Sequence, residues 1–555
     1  MNYKQISLFL ILFLACYNSQ NKFKGATETL DQHTKEQIKL IPETESIYVT
    51  QQEYEKYLKN ENKNNKSQKL SLEDFQKLSF ADQEWLQKKD LPEPEQERIF
   101  YENLEKHHDL PRDQVKYVYW YGEKKDYFKY KNYLISNYSL IETDQEFAPD
   151  TFTLTSYQWK QFKSHPNQIV TTVLGRNNVC HKEKLALSIK EYDRSEKNRF
   201  KNYRSNYGYP TTYRLDFSGK VQDEQELFKN DENVQGLYLI KIQQGGNAKG
   251  ISLISDGKKF QESLKNKPKK EFLKEFDLKS VGYVLQKYVE NPLTFDNKKF
   301  DVRYFVSIVS LDPYIVVFQY AYARKTVVNY DPNSDELAVH IANGGLQKKM
   351  PDYKKLIEND VNLNYKDFLL EIRKQYPSQT EEDVKQLDLK IKSAIAYALI
   401  GIEDKLTKRK GSVEIFGVDI TIDDLMNPYI LEFNFSPSLG LTNKVITKDI
   451  IDAIQDLTDV AMALNVMTRT EIKEKSQERY NFVCDYMFRA ECDVLINTAT
   501  DFNIADEPDR LNQWKPIQMV NNARSQQQIK QQDQNLNESD EGESQSNQQQ
   551  QRIEL

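Results

Sequence analysis

The stretch "YILEFNFSPSLG", residues 429–440, constrains the fold most. Strand side chains alternate, so Glu432 and Asn434 share one face while Leu431, Phe433 and Phe435 take the other. A carboxylate set beside a core needs a cationic partner, because its desolvation is expensive. That partner is a lysine, another cation or a bound metal. Pro437 cannot donate to a ladder and ends the strand. The preceding "VEIFGVDITID" reads as a second strand, joined to the first around Asp424 to Pro428. Paired as a hairpin, the two set Asp419 across from the Glu432/Asn434 face. Three oxygen ligands on neighbouring strands suit magnesium, a hard ion that keeps positions open for phosphate oxygens. The plainer alternative is a hydrogen-bonded pair at a strand end.

The chain has 555 residues, enough for two to four domains or one composite unit. Its 77 basic and 84 acidic residues give a net charge of −7, which argues against general nucleic-acid binding but allows a local basic groove. Four cysteines show no CxxC spacing, and six histidines, His107 and His108 among them, form no zinc motif. Cys484 and Cys492 could bridge in an oxidising compartment; buried or free thiols are the simpler reading. Lys4 precedes an apolar run, Leu8 to Cys16, that is too short to span a bilayer but fits a signal-peptide core, so residues 1–20 are expected to be a signal peptide. The terminal "RIEL" weakly resembles ER-retrieval tails. Asn65-Lys66-Ser67 and Asn137-Tyr138-Ser139 are formal glycosylation sequons. No transmembrane segment is expected in the mature chain.

Residues 21–112 read as a polar helical arm, with capping boxes at Ser71 to Asp74 and Ser79 to Asp82. From "VKYVYWYG" the chain becomes mixed α/β. "GLYLIKI", "GISLI", "YVLQKYVE", "FDVRYFVSIVS" and "YIVVFQYAYARK" read as strands. Val384, Leu387, Ile391, Ile395, Ala398 and Ile402 form one apolar helical stripe. Residues 523–555 are rich in Gln, Asn, Ser and acid and are expected to be disordered.

Magnesium directs attention to a nucleotide site. "LIKIQQGGNAKG" offers Lys241 at a strand end, a loop with Gly245 and Gly246, then Lys249-Gly250. Glycines let backbone N–H groups approach phosphates and lysines add charge. This is no Walker loop, since GxxxxGK[ST] is absent. The strand "LQKYV" could present its backbone to a purine. In "KKFDVRYFV", Lys299, Asp301 and Arg303 share one strand face, and a solvated face is the ordinary reading.

In order, these segments resemble the tubulin–tyrosine ligase-like family of ATP-grasp ligases. The family pattern of a strand lysine, a Gly-rich loop closing on GI, Q-x-Y-[IL], K-F-D-[IL]-R, a later strand arginine, H-L-T-N, F-G-x-D and L-E-[VF]-N-x-S-P-S is matched by Lys241, Lys249-Gly250-Ile251, Gln286-Lys287-Tyr288-Val289, Lys299 to Arg303, Arg324, His340 to Asn343, Phe416 to Asp419 and Leu431 to Ser438. "NQIVTTVLGRNNVCHKEKLALSI" resembles the segment before the first ATP-contacting lysine, with Lys182 or Lys184 the candidate. The likeness covers about residues 115–470 and is expected to run on to Pro516. Two departures stand out: Ile242 replaces the proline of the family's Lys-Pro, and Ala342 replaces the threonine of H-L-T-N.

The resemblance implies an α/β (α+β) ATP-grasp fold with antiparallel sheets flanked by helices. Its N-terminal, central and C-terminal subdomains would occupy 113–215, 216–290 and 291–522. It implies an ATP-dependent carboxylate–amine ligase working through an acyl phosphate, with Asp419, Glu432 and Asn434 on magnesium. Lys241, Lys249, Gly250, Ile251, Gln286, Lys287, Tyr288, Val289, Lys299, Asp301 and Asn343 would bind ATP. Arg303 would steady the transferring phosphoryl group. Arg324, with Lys448 as a second candidate, would hold the carboxylate of the incoming amino acid. Glutamate is favoured as that amino acid on family size, with glycine and tyrosine as alternatives. The acceptor would be glutamate side chains of tubulin or another acidic tail, met by a basic groove from Lys265, Lys267, Lys269, Lys270 and Lys274 or from Lys408, Arg409 and Lys410. Such a role belongs to the cytoskeleton or cilium, whereas the N-terminus points to the secretory pathway. A ligase for a secretory substrate and a non-catalytic microtubule-binding scaffold are the competing readings.

Overall fold

The computed structural model describes residue 88 and residues 91–506, apart from 110–111, 113, 122–133, 145–146, 148–149, 156–162, 199, 201–207, 220–222, 244–247, 281, 356–360, 436, 438–443 and 488–491. The signal-like segment, both capping boxes, the Asn65 sequon, Gly245, Gly246 and the Gln-rich tail lie outside the described residues.

Three sheets organise the chain. Strands β1 (Tyr117–Tyr121), β2 (Ile141–Glu142), β3 (Thr151–Thr155) and β4 (Ile169–Val170) form a parallel sheet in the order β2-β1-β3-β4. Helix α1 (Glu93–His108) opens behind Pro92, a residue that can start a helix but not continue one. Its Ile99, Phe100 and Asn103 are buried, and His108 Nε2 lies 2.7 Å from the Lys408 carbonyl oxygen. This part of the expected polar arm is therefore docked on the body. Helix α2 (Lys182–Arg194) follows.

Strands β5 (Thr212–Asp216), β6 (Tyr238–Ile242), β7 (Ile251–Ile254) and β8 (Gly282–Lys287) form a small antiparallel sheet in the order β5-β8-β6-β7. Helices α3 (Gly257–Asn266) and α4 (Lys269–Glu275) pack on it through an aromatic cluster in which Phe260 touches Phe228 and Phe272 edge-on.

The third sheet is the largest. Strands β9 (Thr294–Phe295), β10 (Lys298–Leu311), β11 (Tyr314–Lys325), β12 (Asn362–Asn364), β13 (Glu414–Ile422), β14 (Pro428–Phe435), β15 (Asp493–Asn497) and β16 (Phe502–Asn503) run in the order β14-β13-β10-β11-β15-β16, with β9 on β10 and β12 on β11. Helix α5 (Glu381–Ile400) begins at a capping box between Thr380 and Asp383, and its apolar stripe is buried as expected. It covers the face carrying Val302, Tyr304, Val306 and Ile308. Helix α6 (Lys444–Val466) covers the opposite face, carrying Phe305 and Val309. Burial on both faces explains why β10 and β11 read as nearly continuous apolar runs. Helix α7 (Arg469–Glu478) follows. No helix among the described residues is long and apolar enough to cross a membrane.

Two sequence expectations change. Cys484 and Cys492 are joined by a disulfide, with Cα atoms 5.6 Å apart, rather than left as thiols. Tertiary packing on one core cluster brings them together, and an eight-residue spacing alone cannot signal that. The run Lys408 to Lys410 is not a surface groove. Arg409 is 2 % exposed and donates to the carbonyls of His165 (3.0 Å) and Gln168 (2.9 Å).

Lys410 is buried beside it. Burial first, then the neighbouring Arg112 charge, lower its pKa from 10.5 to about 7 against the pull of Glu471 and Asp109. Between those two values the unfolded chain holds a proton that the folded chain does not, so this group makes stability rise with pH. Replacing Lys410 with Met is expected to flatten that part of the stability profile, read by urea unfolding at pH 7 to 10.

Candidate active site

Strand register assembles the site. Arg303 lies opposite Asp419, Asp301 opposite Arg324, Asp419 opposite Glu432, and Gly417 opposite Asn434. Cross-strand partners point to the same side, so these side chains share one sheet face with Lys299. The solvated-face reading of "KKFDVRYFV" fails here. Lys299, Asp301 and Arg303 are 3 %, 4 % and 7 % exposed. The strand continues into the core as Phe305 and Val309, and at its charged end the cations and carboxylates neutralise one another. Lys299 Nζ donates to Asp301 Oδ1 at 2.9 Å.

Asp419 is the centre of this face. Arg303 donates to both its oxygens, through Nε to Oδ1 and through Nη2 to Oδ2 at 3.0 Å. Arg324 Nη2 lies 2.9 Å from Oδ1. Burial alone would raise the Asp419 pKa, but the two guanidinium groups hold it down at about 2. Gly417 makes room for this arrangement: a Cβ there would sit 2.9 Å from Arg303 Cδ, Arg303 Nη1 and Pro437 Cβ.

Asn434 Nδ2 lies 3.2 Å from Glu432 Oε1 and 3.4 Å from Asp419 Oδ2, so the three expected metal ligands converge. Among the described residues no three His, Cys, Asp or Glu side chains cluster as a metal site. A cation held here would take two carboxylates and the Asn434 amide oxygen. That requires the amide to turn, a change of assignment that leaves its shape unaltered. A set of hard oxygen donors fits magnesium. Arg324 Nε is buried without a hydrogen-bond partner, a donor suited to an anion.

The small sheet supplies the facing wall of a cleft lined by six cationic and three carboxylate residues. Lys241 donates to Gln286 Oε1 at 2.6 Å. Burial lowers its pKa to about 8, with the Glu432 charge pulling the other way. Lys182 and Lys184 separate cleanly. Lys182 lines the cleft with Nζ 3.2 Å from Glu432 Oε2, while Lys184 is exposed outside it. Lys249, Ile251, Tyr288, Val289, Lys299, Asp301, Arg324 and Asn343 also line it. So does Lys287, although its ammonium is taken up by the Gln235 carbonyl (2.6 Å) and by Glu290. Gly250 does not line the cleft. Its φ of +68° and the nearness of Ile242, 2.6 Å from a would-be Cβ, make it a turn residue. The Lys448 side chain lies outside the description, though its backbone is in α6.

Sequence reasoning gave no role to His340 or Thr421. His340 Nε2 must donate to the Ser334 carbonyl at 2.6 Å, and Nδ1 lies 3.0 Å from the Tyr288 hydroxyl. It ties the "HIAN" segment to the end of β8. Thr421 follows Asp419 by two on the same strand face, a spacing that could have flagged it; its buried Oγ1 has no hydrogen-bond partner.

Lysines on one wall of the cleft thus face a sheet face of carboxylates and arginines. The chain belongs to the tubulin-tyrosine ligase family, whose model matches residues 160–490. It is 28 % identical over 268 residues to protein polyglycylase TTLL10 of Macaca fascicularis, covering 46 % of this chain and 42 % of the relative. It is 29 % identical over 263 residues to inactive polyglycylase TTLL10 of Homo sapiens, covering 44 % and 37 %. Tubulin glycylase 3E of Tetrahymena thermophila is 30 % identical over 230 residues, covering 40 % and 15 %. The matches thus span about two fifths or less of these relatives.

Gly417→Ala is expected to push the Arg303 guanidinium off Asp419 and to cost about 1–3 kcal/mol of stability by overpacking. Urea unfolding measures the cost, and a crystal structure of the variant shows whether the guanidinium moved.

Proposed function

We propose that the cleft is the active site of an ATP-dependent carboxylate–amine ligase. It would join glycine to glutamate side chains in an acidic protein tail. The observation that carries this reading is the single sheet face on which Arg303, Arg324, Asp419, Glu432 and Asn434 meet; Arg324, Asp419 and Glu432 line the cleft together with Lys241 and Lys182, and Arg303 and Asn434 adjoin them on that face. Magnesium-ATP, when bound, supplies the phosphoryl group that makes a carboxylate electrophilic; an amine then displaces phosphate to leave an amide.

The chain's own residues have separable tasks. Asp419, Glu432 and Asn434 are the oxygen donors for the cation. Lys241 and Lys182 bring positive charge to phosphate oxygens, and a bound phosphate opposes the burial that now depresses the Lys241 pKa. Arg303, fixed by two bonds to Asp419, presents a preorganised charge where a transferring phosphoryl group would sit, which is worth more than a mobile one. Arg324, which lines the cleft, supplies the positive charge for the carboxylate of the incoming amino acid.

The relatives described above are named glycylases or polyglycylases, which favours glycine over the glutamate expected from family size; Arg324 would meet the α-carboxylate common to all amino acids and does not discriminate. The Tetrahymena relative is named a tubulin glycylase, so tubulin serves as one test acceptor that carries an acidic tail. The human relative's description as inactive supports a second reading, a binding protein without turnover.

The test is incorporation by the full chain. Magnesium-ATP is supplied with tubulin or a Glu-rich peptide and with labelled glycine, glutamate or tyrosine in turn. Glycine incorporation is expected, abolished in Glu432→Gln and reduced about 10²–10³-fold in Arg303→Lys, which keeps the charge but loses the two-bond geometry. Glutamate incorporation would overturn the donor assignment. Nucleotide binding without any incorporation would favour the binding protein.

A further inference from the structure

We propose that the folded region matures in an oxidising, glycosylating lumen, carrying an N-linked glycan on Asn137 and the Cys484–Cys492 bridge. The acidic polypeptide presented to the cleft is then a luminal one. Only this last clause rests on the ligase reading.

Asn137-Tyr138-Ser139 meets the acceptor rule for N-glycosylation. Asn137 and Ser139 are both exposed, while the half-buried Tyr138 packs against the core that α6 covers. Ser139 has φ +53°, a left-handed conformation uncommon outside glycine, so the chain turns sharply just past the acceptor. The segment lies between β1 and β2, and no residue of the β1–β4 sheet lines the cleft. Asn137 is therefore an exposed acceptor on a part of the chain that does not line the cleft.

A sequon alone says little about compartment, since such triplets are common. The bridge says more. A reducing cytosol keeps thiols apart, whereas a lumen oxidises them and keeps them joined. Cys484 lies in the short helix Phe482–Tyr486 and Cys492 just before β15, so the bridge fastens that helix to the large sheet. The remaining described cysteine, Cys180, does not compete. Burial pushes its thiol well above the ordinary range, which suppresses the thiolate needed for exchange. The sequon and the bridge lie far apart in sequence and are independent, and the apolar run at residues 8–16 agrees with both.

The test uses the full chain expressed in eukaryotic cells. Its gel mobility is compared with and without endoglycosidase H, for the parent, Asn137→Gln, Ser139→Ala and Asn65→Gln. Denatured samples are tagged with a maleimide polymer before and after reduction. The expected result is an endoglycosidase-sensitive shift that Asn137→Gln and Ser139→Ala each reduce by one glycan. Asn65→Gln leaves that glycan in place, and reduction exposes two further thiols. The proposal is overturned if neither Asn137→Gln nor Ser139→Ala changes the shift, or if tagging is the same before and after reduction. Amino-acid incorporation by the same purified material reports separately on the ligase reading.

Discussion

The carboxylate of Asp419 is the constraint on which the site depends. It lies on the strand next to the edge of the large sheet and is buried there, where an unpaired charge would be prohibitively expensive. Two arginines from two different strands therefore converge on it. Each consequence follows by geometry. Gly417, two residues earlier, must lack a side chain so that the Arg303 stem can cross the strand. Arg324 must sit near the end of β11, and its Nε is left buried without a hydrogen-bond partner. The charged side chains that look like a catalytic set are thus also the solution to a solvation problem.

A second buried pair plays a comparable structural part. Arg176 Nη1 lies 2.6 Å from Glu414 Oε2 at the start of β13, and Glu414 also accepts from the Val173 backbone N–H at 3.0 Å. The Arg176 guanidinium covers the Phe435 ring at 4.5 Å, at the end of β14. The strands carrying Asp419 and Glu432 are therefore anchored from outside their own hairpin. Breaking one partner of such a pair leaves a buried charge uncompensated, which is why these contacts hold position even where their net contribution to stability is small.

Much of this was legible from side-chain alternation. Asp419, Glu432 and Asn434 could be placed on one face from the period of two, and the α5 stripe from the period of 3.6. What alternation cannot give is which face is covered. Lys299, Asp301 and Arg303 read as solvated because nothing local reveals that the small sheet and a strand from more than a hundred residues later close over them. The same limit hid the roles of Arg409 and His340, whose partners, His165 and Tyr288, are remote in sequence. Lys182 was separable from Lys184 only once the start of α2 was seen to deliver it to Glu432. The Cys484–Cys492 bridge depended on a fold no spacing rule encodes.

Strand β10 carries reactive-looking charges on one half of a face and core residues, Phe305 and Val309, on the other half. A rigid strand cannot shift one half without the other. The position of Arg303 is therefore inherited from the packing of α6 against the sheet, and drift in that geometry is opposed by the whole core. Freedom to change lies with the parts outside the large sheet, such as the β6–β7 hairpin and the "HIAN" segment. Divergence in what such a protein accepts should accumulate there, while the sheet face stays still.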